Sequence, residues 1–292
     1  MQKQYSPKVI KMIRRFQRDE AAAGIIYENI AKRVKDKGNR EILFNIAQDE
    51  KEHVLVWRQY NEEIIKPKFF KIFISIFFSY VLGYTFVIKY LENDEYDAIR
   101  DYELIIKEIP QAAEIIKNEK EHEAILIKMI DEERLQYIGA MALGLNDALI
   151  ELTGIITGMT FAFANTRFIA LAGIITGASA TLSMAASNYL AQRANNNPKA
   201  LLASLWTGAA YLITVILLVL PYLIFDPDMY IAAFATMIVF AVFIILFFNY
   251  YISVVKSLPF TKRFGEMFII SFTVMTLSFL IGLAAKRLLG IE

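Results

Sequence analysis

The chain has 292 residues, 56% hydrophobic and 21% charged, with a net formal charge of +1 at neutral pH. Soluble domains carry about 45–50% apolar residues, so the apolar share is high, and no basic stripe interleaved with aromatics points to nucleic acid as a partner. Cysteine is absent, which excludes disulfides, thiolate metal sites, iron–sulfur clusters and cysteine nucleophiles, and leaves carboxylate, imidazole, amide and thioether groups as the available metal ligands.

The apolar excess is uneven. Nearly all Asp and Glu lie before residue 152, and long apolar runs dominate the rest. This split predicts two physically different parts, a head over residues 1–134 and a membrane part over 135–292. The N-terminal run MQKQYSPKVIKMIRRFQRDE has no apolar h-region, so the expectation is no secretory signal and a head that stays in the cytosol. From Tyr5 to Arg134 the mixed charge and spacing predict helices, punctuated by Gly38, Pro67 and Pro110. The apolar stretch Ile72–Ile88 is hard to place. It is about long enough to span a thinned bilayer, yet it holds Ser75, Ser79, Tyr80, Gly83, Tyr84 and Thr85.

The whole chain has two histidines, and both stand in one context: Glu50-Lys51-Glu52-His53 and Glu119-Lys120-Glu121-His122. Residues three apart share a helical face, so each Glu-x-x-His can grip one metal centre with carboxylate and imidazole together. A single copy is commonly just a solvated helix face. Two copies that use every histidine, on the second and fourth predicted helices, are not. Two such helices, plus a Glu from each of two others, make the ligand set of di-iron four-helix bundles. Glu20 lies on the first helix, with Tyr27 two turns later on the same face. Glu92 and Glu95 lie three apart on the third.

On these residues the head resembles the rubrerythrin-type ferritin-like domains. The carriers are Glu20 with Tyr27, Glu50 to His53, the pair Glu92/Glu95, and Glu119 to His122, over about residues 5–134. The resemblance implies a di-iron centre in which Glu20, Glu50, Glu92, Glu95 and Glu119 bridge or chelate two irons, His53 and His122 cap them, and the paired glutamates of the third helix switch with redox state. Peroxide-reducing rubrerythrins usually carry a cysteine-rich electron donor, which this chain cannot supply. Iron sensing, iron delivery or ferroxidase chemistry stays open. The site also constrains Ile72–Ile88. A single pass there would separate Glu92/Glu95 from Glu50/His53, so the stretch is expected to be the crossover between the second and third helices. It would lie against the membrane surface or pack on the spans, with Lys66, Lys68 and Lys71 suited to lipid headgroups.

Five later stretches are long enough to span a bilayer: Ile138–Ala164, Phe168–Ala191, Leu201–Phe225, Tyr230–Val255 and Phe264–Leu283. Arg193 and Lys199 fall in the second loop, and Lys256, Lys262 and Arg263 in the fourth. The first loop has only Arg167, and the third two aspartates and no base. By the positive-inside rule the head and these basic loops face the cytoplasm, and the C-terminus lies outside. Lys286 and Arg287 on the outer side run against the rule.

Ionisable groups at membrane depth are costly and mark function. Asp147 and Glu151 lie four apart on the first span. Their hard oxygens suit a divalent cation and can also take up protons. The second span offers Met184 and Asn188, again four apart, as further residues expected along a transport pathway, and a thioether favours softer transition metals. Gly154, Gly158, Gly173 and Gly177 allow close helix approach.

The runs Gly144-Leu145-Asn146-Asp147-Ala148-Leu149-Ile150-Glu151-Leu152-Thr153-Gly154 and Ser183-Met184-Ala185-Ala186-Ser187-Asn188-Tyr189-Leu190 resemble the vacuolar iron transporter family. The resemblance covers about residues 135–290. It implies proton-coupled export of ferrous iron or manganese through a homodimer, along a pathway between protomers lined by Asp147, Glu151 and Met184. Two departures stand out. Asn188 stands where many relatives have Glu, and the long acidic insert of plant members between spans two and three is absent. The expectation is therefore an all-α chain: a cytosolic ferritin-like four-helix bundle that collects iron, then a five-span transporter, with the metal ion, protons and membrane lipid as its partners. The alternative is a membrane-tethered di-iron ferroxidase or peroxide scavenger.

Overall fold

The computed structural model describes residues 5–61, 63–129 and 132–290; of residues 97, 132–136 and 289 it describes the backbone alone. Among the described residues every element is a helix. The chain divides into two compact units, Met1–Asp131 and Glu132–Glu292.

The first unit holds α1 (Pro7–Ala31), α2 (Lys37–Asn61), α3 (Phe69–Val81), α4 (Tyr84–Ile105) and α5 (Ala112–Met129). Local chemistry sets the ends. Ser6 caps α1 by accepting from the Val9 N–H at 3.3 Å, with Pro7 at the first helical position, where its missing N–H costs nothing. Asp36 accepts from the Asn39 N–H at 2.8 Å. That carboxylate starts α2 one residue before Lys37, so Gly38 falls in the first turn rather than between helices, contrary to the expected break. Pro67 precedes α3, and Pro110 lies between α4 and α5.

The stretch expected as one crossover over residues 72–88 is two pieces. Gly83 has φ +89°, a conformation that L side chains rarely adopt. It ends a 13-residue helix, α3, and starts α4. At about 1.5 Å per residue, α3 is too short to cross a bilayer. It joins α2 to α4 and packs against α1 and α4. Its inner face carries Ile72, Ser75 and Ser79; Phe69, Phe70, Phe73, Phe77 and Tyr80 face out. Arg33, in the turn after α1, reaches it twice, donating to Ser79 Oγ at 2.5 Å and lying 4.0 Å over the Tyr80 ring.

The other four helices pack α1 on α2, α4 on α5, α1 on α4 and α2 on α5. One end of this arrangement is sealed by Val9, Ile13, Phe16, Trp57, Tyr102 and Ile115 with their neighbours. Phe16, Trp57 and Tyr102 stack edge-on or tilted with centroids 4.4–5.2 Å apart.

The second unit holds α6 (Glu132–Phe163), α7 (Thr166–Ala194), α8 (Ala200–Ile224), α9 (Tyr230–Lys256) and α10 (Phe260–Leu289). Five helices there are long and apolar enough to cross a membrane, which makes the chain an integral membrane protein. The short breaks between them lie where the sequence places them. Asn165 caps α7, its Oδ1 accepting from the Arg167 and Phe168 N–H groups at 2.9 and 3.4 Å. α6 is central and touches each of the other four. Its Ala148, Leu149, Leu152 and Ile156 are fully buried against Tyr211, Val215 and Leu218 of α8 and Met237 and Ile245 of α9. Close approach explains two of the glycines. A Cβ on Gly282 would stand 2.6 Å from the Gly158 carbonyl oxygen, and one on Gly177 would stand 2.4 Å from Val215.

A candidate metal centre and two membrane carboxylates

The first unit buries carboxylates and imidazoles together. Glu20 of α1, Glu50 and His53 of α2 and Glu119 of α5 each offer a ligand atom, all within 4.8 Å of one another. They are 0–5% exposed. The two Glu-x-x-His motifs cross-connect. His53 Nδ1 lies 3.0 Å from Glu119 Oε1 of the other helix and 3.8 Å from Glu50 of its own. His122 Nδ1 lies 3.7 Å from Glu50 and 3.5 Å from Glu119. Spacing of three on each helix puts both groups on one face, and packing of α2 on α5 makes the faces meet.

A buried carboxylate without a partner is expensive. Among the described residues both oxygens of Glu50 and Glu119, both ring nitrogens of His53 and Nδ1 of His122 have no hydrogen-bond partner of good geometry. A donor set of oxygen and imidazole nitrogen at this spacing fits a divalent transition metal. Without one, protons must take its place. Burial and the negative charges of Glu119 and Glu20 hold the Glu50 carboxyl well above the usual range. Burial pushes His53 down, but Glu119, Glu20 and Glu50 outweigh it and raise its affinity for a proton. Glu20 behaves oppositely. Burial pushes it up, yet Glu50, His53 and the Tyr102 hydroxyl bring it down to about 2.

Around this group lie Asp49, Trp57 and Tyr102, which the sequence reading did not single out, and Tyr27, which it did. Asp49 Oδ2 stands 2.9 Å from His122 Nε2. Tyr102 donates to Glu20 Oε1, which also accepts from Trp57 Nε1 at 3.4 Å. Tyr27 donates to Glu95 Oε1 at 3.2 Å. A signal for Tyr102 was present: Glu95 and Tyr102 repeat the seven-residue spacing of Glu20 and Tyr27. The structure crosses the two pairs, each tyrosine serving the glutamate of the other helix.

The third-helix pair behaves unequally. Glu95 is half-buried and accepts from Tyr27, which also lies under the cluster, and its carboxyl is raised by desolvation and by the charges of Glu119 and Glu20. Glu92 pairs instead with Lys89 at 2.6 Å. The closest-knit set is thus Glu20, Glu50, His53 and Glu119, with His122 and Glu95 adjoining and Glu92 at the edge.

In the second unit, Asp147 is half-buried and Glu151 exposed on α6. Glu151 Oε2 accepts from the Tyr211 hydroxyl of α8 at 2.8 Å, a partner that the sequence did not reveal. Met184 packs at the edge of the membrane unit's core. Asn188 is 5% exposed and does not join the carboxylates. Its Nδ2 donates to Thr207 Oγ1 at 2.6 Å, and Thr207 donates to the Ala140 carbonyl at 3.0 Å, so this amide ties α7 to α8 and α6.

The model of the VIT family matches residues 138–199, which include Asp147, Glu151, Met184 and Asn188. No curated protein and no solved structure matches the chain.

Proposed function

We propose that the chain exports ferrous iron or manganese across its membrane, and that the first unit is a ferritin-like, di-iron-type bundle that gathers the ion. The observation that carries this reading is the coexistence of two carboxylate sets on one chain: the buried Glu20, Glu50, His53 and Glu119, and Asp147 with Glu151 on a span matched by the VIT family. The resemblance of the membrane part to the vacuolar iron transporters supports ferrous iron or manganese as the ion and protons as the coupling partner. Asp147, Glu151 and Met184 would line the pathway, and exchange of metal for protons on the two carboxylates would couple export to inward proton flow. Two carboxylates from one chain are a thin ligand set for a divalent ion, which supports a homodimer with the pathway between protomers. The basic second and fourth loops support a cytoplasmic first unit and an external C-terminus. The outward aromatic face of α3 suits the headgroup–acyl boundary of the bilayer.

The test is metal flux in reconstituted vesicles, with iron and manganese compared with and without a pH gradient. The expected result is gradient-dependent flux that Asp147→Ala abolishes. Unchanged flux in that variant would sink the assignment.

A ferroxidase tethered by its spans is the second reading, and two buried tyrosines on the cluster's glutamates favour it. A bound iron pair would supply oxidation of ferrous iron, Glu20, Glu50, Glu119, His53 and His122 would hold it, and the tyrosines would orient the carboxylates. Dioxygen uptake driven by ferrous iron, without metal flux, would decide for it.

A further inference from the structure

We propose that the cavity between α1, α3 and α4 is the path by which a divalent cation reaches the metal centre, with Asp19 and Asp94 as its outer carboxylates and Glu20 and Glu95 as its inner ones. This deepens the reading of the first unit as a metal centre and rests on it.

The cavity holds about 690 Å³. α3 forms one wall through Lys68, Lys71 and Ser75. Glu20, Glu95 and Tyr102 also line it, so it reaches the metal centre itself. The helices build the path by doublets. Asp19-Glu20 on α1 and Asp94-Glu95 on α4 each put an outer aspartate beside an inner glutamate. The two doublets carry the same internal repeat as the Glu–Tyr pairs.

Charge favours a cation over an anion or a neutral oxidant. Five carboxylates line the cavity against three cations: Asp19, Glu20, Asp94, Glu95 and Asp101 against Arg15, Lys68 and Lys71. Each outer aspartate is neutralised by one base: Lys68 to Asp19 at 3.6 Å, Lys71 to Asp94 at 2.9 Å, and Arg15 to Asp101. Among the described residues neither inner glutamate pairs with a Lys or Arg; each accepts from a tyrosine hydroxyl, and Glu20 also faces His53 Nδ1 of the metal centre at 3.7 Å. Solvent-exposed Lys–Asp pairs are weak, so a divalent ion displaces Lys68 from Asp19 at small cost. A second observation is independent of the acids. Ser75 is 2% exposed, lines the cavity, and its hydroxyl has no partner among the described residues. An unpaired buried hydroxyl is costly, and a passing hydrated ion would give it a partner.

The experiment follows cobalt(II) loading of the full-length protein in detergent by stopped-flow absorbance. His53→Ala/His122→Ala supplies the signal not due to the metal centre. Asp19→Asn/Asp94→Asn is expected to slow loading by about 10-fold or more at unchanged final stoichiometry. Lys71→Gln frees Asp94 and is expected to speed loading at low salt. Removing two exposed acids that do not line the cavity, Glu41→Gln/Glu114→Gln, should leave the rate alone. An unchanged rate in both cavity variants overturns the proposal. So does lost stoichiometry in the aspartate variant, which would make those residues ligands. Equal slowing in the control variant overturns it too, since net charge alone would then set the rate. If the unaltered protein takes up no cobalt at the centre, the reading of the first unit fails and the path fails with it. Normal loading with unaltered variant rates removes the path alone.

Discussion

Asp49 accepts the Nε2 proton of His122 at 2.9 Å, and that leaves Nδ1 as the ring's free lone pair, 3.5–3.7 Å from Glu119 and Glu50. A carboxylate behind a ligand histidine fixes its tautomer and orientation and raises its basicity. His53 has no such support; its Nε2 has no partner among the described residues. Asp49→Asn should therefore lower metal affinity by about 10–100-fold without touching a ligand. Competition titration against a chelator measures this, and an unchanged affinity would show that Asp49 merely solvates the rim. Single residues also mark where sequence reading stops. Glu50, His53, Glu119 and His122 were readable because their spacing is local. Asp49 and Trp57 were not, because each becomes significant only when another helix brings it a partner.

The repeat is an affair of helices. α1 and α4 each carry an Asp-Glu doublet and a tyrosine seven residues after the Glu, while α2 and α5 each carry Glu-x-x-His. Helix periodicity puts each set on one face, but which tyrosine meets which glutamate depends on how α1 lies on α4. α3 shows the reverse limit. Its composition is close to that of a span, and only the break at Gly83 and its packing on α1 and α4 mark it as a short covering helix. Absence of cysteine makes its outer face easy to probe. A fluorophore on Phe73→Cys or Phe77→Cys, in the full chain in lipid nanodiscs, should be quenched by lipid-borne quenchers. A label on Tyr96→Cys, an exposed residue of α4, should not. Equal quenching at the sites would refute membrane contact by α3.

At the scale of the molecule, the buried acids make stability depend on pH in opposite ways with and without metal. Glu50 and Glu95 are raised by burial and neighbouring charge from an ordinary value of 4.5, and His53 is raised from 6.5 by its carboxylates despite burial. For each, the folded state keeps a proton that the unfolded chain releases, so stability falls as pH rises above the ordinary value. Glu20, brought to about 2, contributes stability that is lost only as pH falls from 4.5 towards 2. The metal-free first unit should thus melt at a lower temperature at about pH 8 than at about pH 5. Metal replaces those protons and competes better as they leave, so the loaded protein should show the opposite trend. Trp57 is buried in the first unit, and in a Trp206→Phe background its fluorescence reports this melt. A metal-free midpoint that rises with pH would mean that the cluster does not hold its protons.

The sequence by itself determined the five spans, the breaks between them, the two Glu-x-x-His faces and the Asp147/Glu151 pair, because each depends on spacing within one helix and on hydropathy. Tertiary structure alone decided that Glu20, Glu50, His53 and Glu119 converge, that Tyr27 meets Glu95 and Tyr102 meets Glu20, that Tyr211 serves Glu151, and that Asn188 ties three helices together. Those outcomes depend on which faces pack, and long-range contacts of that kind leave no periodicity in the chain.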